Sequence, residues 1–103
     1  MRFMITSCIP IERGNAAIKE GTIGQINQSI LADLKPEAVY FTPVGGKRGG
    51  YMVVDMDDAS QIPAMCEPLF LGFDATVEIV PVMSPEDLAK AEPSVRRVAQ
   101  KYR

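Results

Sequence analysis

Asp55 and Glu78 are the side chains of this chain best placed to move a proton. Each falls within a segment of apolar and β-branched residues, at positions 51–56 and 76–83, where strand alternation directs both toward the same sheet face. A carboxyl shielded from water holds its proton to higher pH and can then act as general acid or base near neutrality. Two such groups lining one cavity would suit proton transfer on a small carbonyl compound or lactone. The competing reading pairs them with Lys or Arg, or leaves them facing solvent on an open strand face, where charge needs no functional explanation.

Tyr40 and Tyr51 flank a glycine-rich connection and could orient a ligand through their phenol groups, with Thr6 and Thr42 adding hydroxyl contacts. These residue types are also ordinary strand formers. The segment Gly45-Gly46-Lys47-Arg48-Gly49-Gly50 frees backbone amides beside two cations, which invites a phosphate reading. A P-loop, however, needs Gly-Lys-Ser/Thr feeding a helix, and here a strand follows, so a mobile hairpin connection is the expectation. The run from Arg48 to Val53 faintly echoes an RNA-recognition strand but lacks the aromatic between its glycines.

Metal and cofactor chemistry are not expected. The chain contains no His, its two cysteines, Cys8 and Cys66, fall on separate elements, and Asp55, Asp57 and Asp58 lack the loop spacing of a calcium site. Both cysteines sit among apolar neighbours, which suits buried, reduced thiols.

The elements that must position these groups follow a strand, helix, strand cadence repeated twice. Strands are expected at residues 2–9, 38–44, 51–56 and 76–83, with one helix ending at Leu34 and a second between the last two strands. Phe3, Ile5, Ser7 and Ile9 form the first strand's apolar face, and Ile23, Ile26, Ile30 and Leu34 form the matching helix stripe. Gly21 and Gly24 weaken that helix or bend it. Lys35-Pro36 ends it, because a residue before proline is pushed from helical space. Asp58 and Gln61 match a capping box, and Pro68 predicts a break or kink in the helix that follows. Pro81 predicts an edge strand. Ser84-Pro85-Glu86-Asp87 opens a last helix, which Pro93 should interrupt to leave a basic tail from Ser94.

Two such units joined by a hairpin specify an α+β, ferredoxin-like fold in one domain, residues 1–103. Its four-stranded antiparallel sheet should carry both helices on one face, with an extra C-terminal helix. At 103 residues the chain suits a single core. Its 47% apolar and 23% charged composition is that of an ordinary globular protein. A formal net charge of −2 offers no field for a nucleic-acid backbone or an anionic membrane. No apolar run approaches the roughly 18 residues of a membrane span. With no signal-peptide pattern, a cytoplasmic location is the expectation.

The uncovered face should present Met4, Thr6, Cys8, Tyr40, Thr42, Tyr51, Val53, Asp55, Thr76, Glu78 and Val80. That set is too apolar to stand free in water, so a homodimer through this face is expected, enclosing a pocket between two sheets. The opening Met-Arg-Phe-Met-Ile-Thr, the Asp57-Asp58 helix start and the closing Val77-Glu78-Ile79-Val80-Pro81-Val82 resemble small bacterial proteins of the dimeric α+β barrel group. That group includes muconolactone isomerases and antibiotic-biosynthesis-type monooxygenases. The resemblance implies a homodimer and a small organic ligand. The histidine of the group's heme-using members is absent, as are the Trp and His used by some of its cofactor-free monooxygenases, so no cofactor is implied. Two functions stand open: a binding or assembly protein using the inter-sheet pocket, or a cofactor-independent isomerase or monooxygenase with Asp55 or Glu78 as proton carrier.

Overall fold

The computed structural model describes residues 1–103. Strand β1 (Arg2–Cys8) leads through helices α1 (Ile11–Glu20) and α2 (Ile23–Leu34) to the hairpin of β2 (Ala38–Val44) and β3 (Lys47–Asp55). A 3-10 turn (Ala59–Gln61) then precedes α3 (Ile62–Phe73), β4 (Thr76–Pro81) and α4 (Pro85–Lys101). The strands form one antiparallel sheet in the order β2-β3-β1-β4, the ferredoxin-like arrangement. β4 is an edge strand, as its terminal proline requires.

The core lies between one sheet face and the helices α1, α2 and α3. Ile5 of β1, Val54 of β3 and Phe73 of α3 are its most deeply buried large side chains, joined by Ile30, Leu34, Met52 and Leu69. Burial of each such side chain contributes about 1.5–3 kcal/mol. The alternation of β1 is therefore obeyed, with Ile5, Ser7 and Ile9 all buried toward the helices.

Four local expectations are corrected. The first helical region is two helices, separated where Gly21 takes a left-handed conformation at φ 73° and caps α1. The glycine-rich segment is no mobile six-residue loop. Val44 pairs with Lys47, so only Gly45 and Gly46 form the turn, with φ of 59° and 80°. Positive φ at both turn residues matches the twist of the flanking strands, and residues 47–50 are freed to extend β3. Helix α3 runs through Pro68 without a break, and α4 runs through Pro93, so no separate tail begins at Ser94.

Both predicted caps are present. Asp58 Oδ1 accepts from the Ser60 amide at 2.8 Å, and Gln61 Oε1 accepts from the Asp57 and Asp58 amides. Ser84 Oγ accepts from the Asp87 amide at 3.1 Å while Asp87 Oδ2 accepts from the Ser84 amide. These amide bonds hold the Asp58 and Asp87 carboxyls below the usual aspartate range.

Replacing Gly46 by Val should cost about 1–2 kcal/mol, the strain of a branched side chain in left-handed backbone. Urea unfolding will read it as a lower midpoint at unchanged slope; an unchanged midpoint would contradict the two-residue turn. Because the Asp58 carboxyl is depressed in the folded state, its contribution is complete above roughly pH 4 and is lost as pH falls through the lower folded value. Asp58→Asn keeps a capping oxygen without that charge, so its stability should fall less steeply than the wild type's when unfolding is followed below pH 4.

Candidate functional site: an apolar cavity beneath the helices

On the helix side, the register aligns Val77, Ser7, Gly50 and Phe41 across β4, β1, β3 and β2. Ser7, near the middle of this row, is too small to fill the space under the helices and lines a cavity there. The diglycine is enforced by close strand contact: a Cβ on Gly49 would strike the Ser7 carbonyl oxygen, and one on Gly50 the Tyr40 carbonyl oxygen. Above this gap, Ile18 of α1 and Ile23, Asn27, Ile30 and Leu31 of α2 form a roof that does not extend over the β2 edge. The result is a cavity of about 410 Å³, within the usual range of roughly 300–1,000 Å³ for small-molecule sites.

Three features give the cavity chemical direction. Its walls are mostly apolar, with Met52, Leu69 and Phe73 at depth and Phe41 at the mouth, where it is 64% exposed. Ser7 borders it and is the one polar side chain of the buried core, at 8% exposure. No buried side-chain polar atom is sealed away without a partner. Ser7 takes part in none of the side-chain hydrogen bonds of the chain, and it lines the cavity. Arg48, the cavity's one charged residue, donates from Nη1 to Asn15 Oδ1 at 2.9 Å and belongs to none of the ion pairs. Arg48 is exposed at the cavity rim, with this one hydrogen bond and no carboxylate partner.

The sequence-derived residues lie mainly on the opposite face. There the register places Tyr40, Tyr51, Thr6 and Glu78 side by side in one cross-strand row. Thr42, Cys8 and Thr76 occupy the row on one side, and Val53, Met4 and Val80 the row on the other. Thr42 alone of the expected ligand contacts also borders the helix-side cavity. Tyr40 is 69% and Tyr51 38% exposed, so this face is open in the single chain.

Asp55 and Glu78 share the open face but are not brought together. Asp55 pairs across from Arg2, whereas Glu78 pairs across from Thr6, two strands away and ~13 Å further along β1. Asp55 is 58% exposed, and the Met1 amino group, donating at 2.7 Å, holds its carboxyl below the usual range. That is opposite to the raised value a shielded general base would need. It borders a polar hollow of about 750 Å³ with Arg2, Glu37 and Asp87, and Glu78 is not part of it.

No group of three or more His, Cys, Asp or Glu side chains is arranged to hold a metal ion. Cys66 is buried, which pushes its thiol up, and Cys8 is half-buried, donating from Sγ to the Val44 carbonyl at 3.3 Å. Ser7 could have been singled out from sequence, as the one polar residue in the apolar alternation Phe3, Ile5, Ser7, Ile9. Arg48 stands out in the sequence as one of two cations in a glycine-rich segment, but its place on β3 beside the cavity depends on the turn closing two residues earlier.

The chain belongs to a family defined as a domain of unknown function, DUF3303, whose model matches residues 1–96. No curated protein matches it. Among solved structures, the X-ray crystal structure of protein Atu4242 from Agrobacterium tumefaciens is similar at 15% identity and a TM-score of 0.39, covering 82% of this chain and 98% of that one. At that level it carries no functional inference.

Ser7→Val should stabilise the empty protein by on the order of 1 kcal/mol, since a buried methyl replaces a hydroxyl with no protein partner. Thermal unfolding would read this as a rise of about 4–8 °C. A fall would show instead that the hydroxyl holds a structural bond.

Proposed function

We propose that this protein is a homodimeric small-molecule-binding protein of the dimeric α+β barrel group, holding an apolar molecule with an anionic head in the cavity beneath its helices. The observation that carries this reading is an apolar cavity lined by the buried Ser7 and rimmed by Arg48, which has no carboxylate partner. An apolar body would fill the wall of isoleucines, its head would meet the guanidinium, and Ser7 would bond a polar atom at the floor. Aromatic and short-chain aliphatic carboxylates have this chemistry. Homodimer formation through the open sheet face is supported by the exposure of Tyr40, Tyr51 and Val80 there. No helix is long and apolar enough to cross a membrane. A reducing compartment such as the cytoplasm suits two free cysteines.

A second reading places the ligand between two paired sheets, supported by the single row of Tyr40, Tyr51, Thr6 and Glu78. The catalytic alternative, a cofactor-independent isomerase or monooxygenase with Asp55 or Glu78 as proton carrier, would rest on one of these carboxylates alone within a chain, given their separation.

Titration with the fluorescent aromatic anion 1-anilinonaphthalene-8-sulfonate distinguishes these sites. Arg48→Leu should weaken binding on the order of tenfold or more, the loss of a charge-assisted contact, and Tyr51→Ser should leave it unchanged. The reverse pattern would move the ligand to the sheet face, and loss in neither variant would overturn both readings.

A further inference from the structure

Helix α4 stands away from the rest of the chain. None of its residues is buried, although Leu88, Ala91, Val95, Val98 and Tyr102 recur at alternating intervals of three and four. That spacing makes one continuous stripe along the helix, a heptad seam. Leu88, Val95, Val98 and Tyr102 are each more than half exposed. The radius of gyration is 17.4 Å, against about 13 Å for a compact domain of this length. The accessible surface is 7231 Å², where a compact monomer of 11.3 kDa would show about 5,700 Å². The excess exceeds the roughly 800 Å² per partner of a standard protein interface.

A solitary helix of this length is marginal in water, and an internal proline weakens it further. Pro93 lies on the side of α4 away from the seam, four positions before Arg97 and two past Ala91, so its missing amide does not interrupt the apolar stripe. The charge along α4 is also divided. Its first half holds Glu86, Asp87 and Glu92 against Lys90 alone, whereas the segment after Pro93 holds Arg96, Arg97, Lys101 and Arg103 with no acid. Parallel pairing of two such helices would set like charges together, and antiparallel pairing sets opposite ones together.

We infer that the α4 helices of two copies of this chain pair antiparallel along the Leu88–Ala91–Val95–Val98 seam. Leu88 of one copy packs against Val98 of the other, and Ala91 against Val95, the small residue letting the helices approach. Asp87 then faces Lys101 across the flank of the seam, and Ser94 lies near its own counterpart beside the twofold axis. Such an interface is isologous, with each contact occurring twice.

Cysteine crosslinking of the full chain tests this pairing separately from any contact between sheets. Under mild oxidation Ser94→Cys should give a covalent dimer well beyond any formed by the unaltered chain. Asp87→Cys alone should not, and a mixture of Asp87→Cys and Lys101→Cys proteins should. Self-crosslinking of Asp87→Cys as fast as that of Ser94→Cys would mean parallel arms, and no crosslink at either position would mean unpaired arms; both overturn the inference. Val95→Glu should in addition remove most of the α4 helical signal in far-ultraviolet circular dichroism, and an unchanged signal would show that the arm is helical without a partner.

Discussion

The close passage of β3 between β1 and β2 at Gly49 and Gly50 is the constraint on which the rest of this molecule depends. Carbonyl oxygens from both neighbouring strands occupy the places where Cβ atoms would stand, so only glycine keeps the ladder in register there. Gly49 also lines the cavity, beside Ser7, whose short side chain leaves space beneath α1 and α2. The tight turn at Gly45 and Gly46 then brings Arg48 onto the strand, where Ile9 donates to its carbonyl at 2.8 Å and its side chain reaches Asn15. Turn, sheet, cavity and cation are in this sense one feature.

The two faces of the sheet differ in how completely the chain covers them. Helices α2 and α3 seal the centre, where Ile5 and Val54 have essentially no exposure. The β2 edge lies beyond their reach, which is why Phe41 remains largely in solvent although it points toward the helical layer. The opposite face has no cover within the chain. Its central rows mix Met4, Val53 and Val80 with Thr6, both tyrosines and Glu78, a composition that tolerates water yet retains enough apolar surface to favour association.

Much of the fold was legible because period and punctuation agreed. Alternation in β1 separated Ile5 and Ser7 from Met4 and Thr6 correctly, and the boxes at Asp58 and Ser84 marked helix starts that the structure contains. The departures turn on glycine and proline, whose meaning depends on tertiary neighbours: Gly21 ends a helix outright, where its type alone predicts only a weakening or a bend. Gly49 and Gly50 are strand residues because carbonyls press on them, and Pro68 and Pro93 sit in helices that continue past them. The site was less legible still. Asp55 and Glu78 are on the expected face, but face alone says nothing of distance, and the register separates them. The cavity was signalled only by Ser7, an interruption of one hydroxyl in an apolar row.

Helix α4 shows why the same pattern can be clear in sequence and incomplete in a single chain. Its capping box fixes where it starts, and its seam fixes which side must be dry, but nothing within residues 1–84 comes over that side. A helix kept in register by a cap worth on the order of 1 kcal/mol, and burdened by an internal proline costing about 3 kcal/mol, cannot depend on local terms alone. Its stability must be supplied by apolar burial, and a division of charge that is self-complementary only when the helix meets its own reverse makes a second copy the partner with matching chemistry. The core residues beneath the sheet are complete within one chain, whereas the seam of α4 becomes a core only between chains.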